Sequence, residues 1–254
     1  MNLKIRNKNY LVLGASGGFG RHIAERIYRE EGHPILVARS EKKLRDFQNS
    51  HPGSSVIIAD LMKPEGLQSI LDETSHLTLH GLLINSGGPP AGSFPMNMED
   101  WDLGYQMVLR WKIELLRSIL PRFEESGFGR IVFIESVSVR EPISGLVLSN
   151  VFRMAVVGLM KSIVNDLTSK DILINMVAPG YHLTDRLENL IDGKSKDLGV
   201  SEEEVVKQFT ENTPLRKLGD PASFAELAVW LLSPGNSYVT GQVIPVDGGL
   251  AKGI

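Results

Sequence analysis

The stretch Leu11-Val12-Leu13-Gly14-Ala15-Ser16-Gly17-Gly18-Phe19-Gly20 decides the fold of this chain. A short apolar run leads directly into closely spaced glycines, and residues 21–28 then follow the pattern of an amphipathic helix. A strand, a tight glycine turn and a helix together form a phosphate-binding arrangement. Glycine lets the backbone approach a pyrophosphate, and the helix N-terminus offers unpaired N–H groups. The spacing differs from the G-x-G-x-x-G fingerprint, so an ordinary glycine turn is the alternative interpretation.

The composition is that of a globular chain with a large apolar core and little net charge. The 254 residues are 42% apolar, and 27 basic against 30 acidic side chains leave a formal net charge of −3. We therefore expect one domain spanning 1–254, and neither a nucleic-acid nor an anionic-membrane partner. The lack of cysteine excludes disulfides and thiolate chemistry, and no histidine pair has metal-ligand spacing, so we expect no metal. The polar N-terminus and the absence of a long uninterrupted apolar run predict a cytoplasmic protein without a membrane segment.

Short apolar runs alternate with helical patterns along the whole chain. Strands are predicted at 10–13, 35–38, 56–59, 82–84, 131–134, 172–177 and 242–246, and helices near 19–31, 41–48, 64–74, 98–123, 149–168 and 221–233. Asn97 and Asp220, the latter followed by proline, are the expected caps of two of these helices. This alternation predicts a doubly wound, mostly parallel α/β sheet of about seven strands, Rossmann-like, with helices on both faces.

Ligands of such sheets bind beyond the carboxyl ends of the strands, so the residues that follow each strand are the candidate site. Arg39 follows the second strand, where an arginine pairs with a 2′-phosphate, and Ser40 is able to assist it. We therefore predict NADP(H) rather than NAD(H) as the cofactor, with a solvated surface arginine as the alternative. Asp60, with its neighbour Leu61, is placed against the adenine, although the Asp60 carboxylate is equally able to cap the helix after Pro64.

The later strand ends supply the rest of the predicted cofactor site. Asn85 is expected to tie neighbouring strands together, and Gly87 leaves room for a ribose, although a plain loop would have the same composition. Ser136 follows the fifth strand and is a candidate donor to a substrate oxygen. The full cofactor set predicted from the chain is Gly14, Ser16, Gly17, Gly18, Phe19, Gly20, Arg39, Ser40, Asp60, Leu61, Asn85, Ser86, Gly87, Arg153, Pro179, Gly180 and Thr184.

The segment from Asp185 to Pro214 is polar, helical in pattern and long for a connection within a domain. Gly193 and Gly199 lie inside it, and its apolar residues include Leu187, Leu190 and Phe209. Such an insertion is typical of a mobile substrate cover, and we predict that role for 185–214.

In this order, the motifs resemble those of the short-chain dehydrogenase/reductase family over nearly the whole chain. The resemblance rests on 14–20, Asp60, 85–87, Trp101, 129–132 with Ser136, 175–180 with Thr184, and the tail 239–249. It implies a nicotinamide dinucleotide site and hydride transfer between NADP(H) and a carbonyl or alcohol, as in 3-oxoacyl-carrier-protein reductases. It also implies a homodimer or homotetramer.

The active-site motif of that family is altered in this chain. The resemblance implies a catalytic set of Asn, Ser, Tyr and Lys. Ser136 matches the serine, whereas Val108, Ser149 and Arg153 stand at the other three positions. A serine hydroxyl is a much weaker acid than a tyrosine beside a cation, and arginine keeps the positive charge but does not relay a proton. We predict Ser136, Ser149 and Arg153 as the catalytic residues of an atypical site.

Three hypotheses follow. In the first, the protein is an NADP(H)-dependent oxidoreductase with a rearranged acid, supplied by Tyr181, His182 or a water held by Ser136 and Ser149. A conjugated enone substrate would relax the need for that acid, because oxyanion stabilisation comes first. In the second, it is a non-catalytic NADP(H)-binding sensor or partner subunit. In the third, the cofactor site is vestigial and the fold only mediates association.

Overall fold

A computed structural model describes residues 2–168 and 171–253, so both outer bounds of the predicted domain, 1 and 254, lie outside the described residues. Seven strands form one sheet in the order β3-β2-β1-β4-β5-β6-β7, and every neighbouring pair is parallel. They are β1 Asn9–Leu13, β2 His33–Ala38, β3 Ser55–Ile58, β4 Leu79–Ile84, β5 Gly129–Ile134, β6 Ile172–Pro179 and β7 Val243–Val246. The predicted doubly wound sheet of a single domain is confirmed.

Helices cover both faces of the sheet. They are α1 Gly18–Arg29, α2 Glu41–Ser50, α3 Pro64–Thr74, α4 Met98–Tyr105, α5 Trp111–Ser126, α6 Val147–Asp166, α7 Asp185–Leu198, α8 Glu202–Thr210 and α9 Pro221–Leu232. Alternate residues of each strand point to opposite faces, so β1 sends Leu11 and Leu13 into one core and Val12 into the other. The first core contains buried residues of α3, α5 and α6, and the second contains those of α1, α2 and α9.

The two predicted helix caps are present. Asn97 accepts a hydrogen bond from the Asp100 N–H (2.8 Å), and Asp220 accepts from Ala222 and Ser223. The helix predicted over 98–123 is interrupted, because a π-helical segment, Gln106–Arg110, separates α4 from α5. This segment adds a residue to the turn and resets the phase of α5, whose Trp111 donates to the Met107 carbonyl (2.9 Å). Met107 and Trp111 consequently face the same cavity.

The predicted cover segment forms two helices. A capping box begins α8, in which Ser201 accepts from the Glu204 N–H and the Glu204 carboxylate accepts from the Ser201 N–H. Leu187, Ile191 and Val205 form a small apolar cluster that is separate from the two main cores. The segment 185–214 thus has its own packing, and its role as a substrate cover stays a prediction.

The sequence predicts no apolar segment of membrane-spanning length, and α6 differs from that expectation. Among the described residues, α6 is long and apolar enough to cross a membrane by length and composition alone. Core helices of globular proteins meet the same criterion, and α6 buries Val156 and Met160 in the first core. The length and composition of α6 are therefore weak evidence for a membrane-spanning segment.

Candidate active site

A cavity of about 740 Å³ opens at the carboxyl ends of β1, β2, β4 and β5. This is the edge at which ligands of doubly wound sheets bind, beside the point where the strand order reverses between β1 and β4. Most of the predicted cofactor residues line it: Gly14, Ser16, Gly17, Gly18, Phe19, Arg39, Ser40, Asp60, Leu61, Asn85, Ser86, Gly87, Arg153 and Thr184.

The turn between β1 and α1 requires glycine for steric reasons. Gly14 has a φ of 66°, and a Cβ there would lie 2.7 Å from the Asn85 carbonyl oxygen. A Cβ on Gly20 would lie 2.3 Å from the Gly14 carbonyl oxygen. Asn85 donates to that same carbonyl (3.3 Å), so it ties β4 to β1 as predicted. Gly17, Gly18 and Phe19 at the start of α1 line the cavity, and the first N–H groups of a helix have no partner within the helix.

Three polar side chains surround the end of β2. Arg39 follows the strand, Ser40 occupies the position before α2, and Lys43 lies in the first turn of that helix. The Ser40 hydroxyl makes no capping hydrogen bond to α2, which leaves it and the helix N-terminus open to an anion. Lys43 is absent from the cofactor residues predicted from the sequence, although a lysine four residues after Arg39, at the start of a helix, was a usable signal.

Lys43 also contacts the predicted cover segment. Its ammonium lies 3.2 Å from the Asp185 carboxylate at the start of α7, and this contact lowers the pKa of Asp185. The same carboxylate lies 3.1 Å from the position that a Cβ on Gly17 would occupy. A negative group of the protein therefore already lies beside the glycine turn.

Asp60 does not cap α3, which was the alternative to its adenine role. Lys63 is the residue before α3, and the Asp60 carboxylate accepts from the Met62 N–H (3.1 Å). The bond stabilises the turn after β3 and places the carboxylate at the cavity wall.

Charged side chains are buried at the inner end of the cavity. Glu135, directly after β5, accepts a hydrogen bond from the Lys112 ammonium and another from Arg153 (2.7 Å). The side chains of Lys112 and Glu135 are 0% exposed, and that of Arg153 is 6% exposed. Arg153 also donates from Nε to the Ser149 hydroxyl (2.9 Å), one helical turn earlier on α6. Two cations thus share one buried carboxylate.

Burial lowers the pKa of Lys112, and the neighbouring charge of Arg153 lowers it further, while Glu135 opposes both effects. Sequence analysis missed this lysine and the role of Glu135. The available signal was the position of Lys112 on the buried stripe of α5, between Trp111 and Leu115, where a charge needs a partner.

Five predicted site residues do not line the cavity. Gly20 packs beneath the glycine turn, and a Cβ on Gly180 would collide with Asp247, so both act through backbone packing, as does the strand residue Pro179. The Ser136 hydroxyl accepts from the Ser138 N–H (3.1 Å), and Ser149 is 8% exposed and reaches the cavity only through Arg153.

Tyr181 and His182, considered as proton donors, also lie outside the cavity lining. Tyr181 packs on Phe209, and burial raises its pKa. His182 makes edge-to-face contacts with Phe19 and Phe224, and burial lowers its pKa. Both side chains serve packing around the start of the cover segment.

Comparison with known proteins identifies the family. Residues 14–251 match the family described as Enoyl-(Acyl carrier protein) reductase. The chain belongs to the short-chain dehydrogenase/reductase family. This short-chain dehydrogenase/reductase is 28% identical to the NADPH-dependent reductase BacG of Bacillus subtilis, over 96% of this chain and 97% of the relative. It is 27% identical to the 3-oxoacyl-[acyl-carrier-protein] reductase FabG of Aquifex aeolicus, over 98% and 100% of the two chains.

A solved structure of similar fold contains a cofactor. L-sorbose reductase from Gluconobacter frateurii, complexed with NADPH and L-sorbose, is 25% identical to this short-chain dehydrogenase/reductase, with a TM-score of 0.93 over 100% of both chains. The prediction of the family is thereby confirmed.

Proposed function

We propose that this protein is an NADP(H)-dependent oxidoreductase that transfers a hydride to or from a carbonyl or alcohol, using an atypical active site. One observation carries the proposal. A single cavity joins a glycine phosphate turn, a basic cluster at the end of β2 and a buried, charged inner end. The relatives described above include NADPH-dependent reductases, which supports both the enzyme class and the cofactor.

The residues present fit the cofactor. Gly14, Gly17 and Gly18 line the cavity beside the N-terminus of α1, and their lack of side chains lets a pyrophosphate approach the backbone. Arg39 and Lys43, with the uncommitted Ser40 hydroxyl, form a cationic pocket suited to a 2′-phosphate, which NAD(H) lacks. Asp60 and Leu61 would contact the adenine, Asn85 to Gly87 the ribose, and Thr184 the nicotinamide end, while Pro179 and Gly180 shape the wall behind it.

Bound NADPH supplies a hydride, so that reduction of a carbonyl adds this hydride to carbon and a proton to oxygen. Arg153 faces the cavity with its charge fixed by Glu135 and Ser149, and it would stabilise negative charge on the substrate oxygen. Ser149 and Arg153 stand one helical turn apart on α6, where the family pattern has Tyr and Lys. Ser136 would help to position the substrate, and Ser149 would hold Arg153 rather than act as an acid.

The proton has a separate source in this proposal. Glu135 lines the cavity and is hydrogen-bonded to the fully buried Lys112. Because burial lowers the pKa of Lys112, its ammonium releases a proton more readily than an exposed lysine does. Glu135 would carry that proton to the substrate oxygen and leave Lys112 neutral, and a proton from water in the cavity would return to Lys112 by way of the same carboxylate. An enone substrate would place smaller demands on this path, because enolate formation needs mainly charge stabilisation.

Assembly and location remain predictions. The exposed apolar side chains Leu103, Tyr105, Val151 and Met154 lie on α4 and α6, which pack side by side. We propose that this face joins copies of the chain into a dimer or tetramer, since exposed apolar patches mark interaction surfaces. A cytoplasmic location and a small-molecule substrate fit the family, and 185–214 would cover that substrate.

The test is a titration of the protein with NADPH and with NADH, followed by nucleotide fluorescence, in the natural chain and in Arg39→Asp. We expect NADPH to bind more tightly than NADH. The variant should lose this preference by about 30-fold, because a charge-assisted phosphate contact is worth about 2 kcal/mol. Lys196→Gln, on the outer part of α7 and 72% exposed, is the control and should change neither affinity. Failure of both nucleotides to bind would contradict the proposal and leave only an association role for the fold.

The second candidate is a non-catalytic NADP(H)-binding sensor or partner subunit. The positions of Ser136 and Ser149 favour it, because neither side chain lines the cavity and each hydroxyl oxygen already accepts a hydrogen bond within the protein. NADPH deuterated at the transferred position separates the two functions. A kinetic isotope effect on substrate reduction supports the enzyme, whereas NADPH binding that only changes a partner's affinity supports the sensor.

A further inference from the structure

Two arginine side chains meet at one point of the cavity wall. A Cβ built on Gly88, in the loop after β4, would lie 3.1 Å from Arg153 Nη2 and 3.0 and 3.1 Å from the two terminal nitrogens of Arg186. Both guanidinium groups also line the cavity. Two cations from different helices, α6 and α7, therefore converge on the same small volume.

Several N–H donors at this point have no partner among the described residues. Arg153 commits Nε to Ser149 and Nη1 to Glu135, so Nη2 is left over. Within 2–168 and 171–253, neither Arg153 Nη2 nor the Arg186 guanidinium donates a hydrogen bond to another residue, and Arg186 makes no ion pair. Partial burial and the charge of Arg153 hold the pKa of Arg186 below its ordinary value.

The local charge is unbalanced. Lys112, Arg153 and Arg186 carry three positive charges, and Glu135 supplies one negative charge that is already shared by the first two. Like charges at this separation repel, and the repulsion is relieved when an anion bridges them. A carboxylate matches this arrangement well, because Arg186 can donate a parallel pair of N–H groups and Arg153 Nη2 can donate to the same anion.

We propose that Arg153 and Arg186 bind an anionic group of the substrate above Gly88, so that the substrate is a carboxylate-bearing carbonyl compound rather than a neutral ketone or alcohol. This inference rests on the proposed function only where it identifies the bound anion as part of the substrate. The anion site itself follows from the two side chains. Because Arg186 lies at the start of the predicted cover segment, an anion bridging the two arginines would also connect α7 to α6.

The cofactor phosphates are the competing occupants. The proposed 2′-phosphate pocket is at the end of β2, three strands from the end of β5, which is about 14 Å at the usual strand spacing. That phosphate therefore does not reach Arg153. The pyrophosphate belongs at the glycine turn beside β1, one strand from Gly88, and the experiment has to distinguish it from a substrate carboxylate.

The experiment uses calorimetric binding of two probes that differ only in the anionic group. These are 2-oxo-4-phenylbutanoate and 4-phenylbutan-2-one, in which a methyl group replaces the carboxylate; acetate and benzoate are added as simple anions. Each is titrated into the free protein and into the protein saturated with NADPH. The variant is Arg186→Gln, and the control is Lys196→Gln, which removes a positive charge from the same helix but outside the cavity lining.

We expect the natural chain to bind the oxo acid at least tenfold more tightly than the ketone, and Arg186→Gln to lose about tenfold for the anions only. NADPH affinity should change by less than twofold in that variant. The proposal is overturned if no anion binds the natural chain more tightly than it binds Arg186→Gln. It is equally overturned if NADPH affinity falls while the preference for the oxo acid persists, because Arg186 would then hold the pyrophosphate.

This readout is independent of the proposed function. Anion binding that depends on Arg186, without oxidation of NADPH by any probe, would keep the anion site and reject the hydride-transfer function. The opposite result is that the ketone oxidises NADPH as efficiently as the oxo acid does, and that anion binding does not depend on Arg186. This result would keep the hydride-transfer function and reject the anion site.

Discussion

The buried charge cluster of Lys112, Glu135 and Arg153 can be tested by the stabilities of three variants. These are Lys112→Met, Glu135→Gln and the double variant, and the geometry of the cluster predicts the order of their free energies of unfolding. Lys112→Met leaves Glu135 paired with Arg153, so the carboxylate keeps one partner. Removing one partner of a buried ion pair costs about 3–5 kcal/mol, and this variant belongs at the lower end, about 3 kcal/mol. Glu135→Gln leaves two cations facing each other without a counterion and belongs at the upper end, about 5 kcal/mol.

The double variant is the decisive one. Lys112→Met with Glu135→Gln leaves only Arg153 unpaired, so its cost should be about 4 kcal/mol, between the two single variants and about 4 kcal/mol below the sum of their costs. The assay is urea unfolding of the ligand-free protein, followed by circular dichroism and tryptophan fluorescence. Arg110→Met, which removes an exposed surface pair on the neighbouring π segment, is the control and should leave the midpoint nearly unchanged. Strict additivity of the two single variants would refute the coupling that the geometry implies.

The same lysine has a kinetic signature. In the proposed mechanism Lys112 must be protonated, so the rate of carbonyl reduction should fall as pH rises through its pKa, which burial places below the ordinary lysine value. Lys112→Met should reduce kcat and abolish this alkaline decline while leaving NADPH affinity unchanged. A variant that keeps the decline would show that another group supplies the proton.

Three further predictions concern the glycine turn and the start of the cover segment. Asp185→Asn should tighten NADPH binding three- to tenfold at low salt, because it removes a carboxylate beside the glycine turn and frees Lys43. Fluorescence titration with NADPH measures this affinity. Weaker binding in the variant would mean that Asp185 orders the site. Burial lowers the pKa of His182 below the ordinary 6.5, so the unfolded chain takes up the proton first and stability is lost as pH falls from about 6.5 through the lowered value. His182→Gln should therefore show a smaller decrease in Tm between pH 7.5 and 5.5, whereas a packing change such as Phe224→Leu should lower Tm at both pH values equally. Gly20→Ala should lower both Tm and NADPH affinity, because the added Cβ would lie 2.3 Å from a backbone oxygen. The same change at Gly193, where a Cβ would have nothing within 4 Å, should be harmless or stabilising. Equal effects at both glycines would contradict the steric argument.

Local patterns determined most of the fold. Each strand was found because apolar residues cluster where both faces of a parallel sheet are buried, and the predicted start of the strand at 172 agrees with β6. Asn97 and Asp220 were identified as caps because a cap depends on residues within three positions of it. The single helix predicted over 98–123 was wrong, because a π segment, which packs against α6, interrupts it and has no signal in the local hydrophobic pattern.

By itself, then, the sequence determined the parallel sheet, the glycine turn, Arg39 at the end of β2 and the serine and arginine on α6, since each depends on local spacing or on a strand end. Only the tertiary structure decided which charges meet. Lys112, Glu135 and Arg153 come from α5, the end of β5 and α6, 23 and 18 residues apart, and Arg186 joins them from α7. The physical reason is that a strand or a cap is decided by neighbours in sequence, whereas the partner of a buried charge is decided by packing between distant elements.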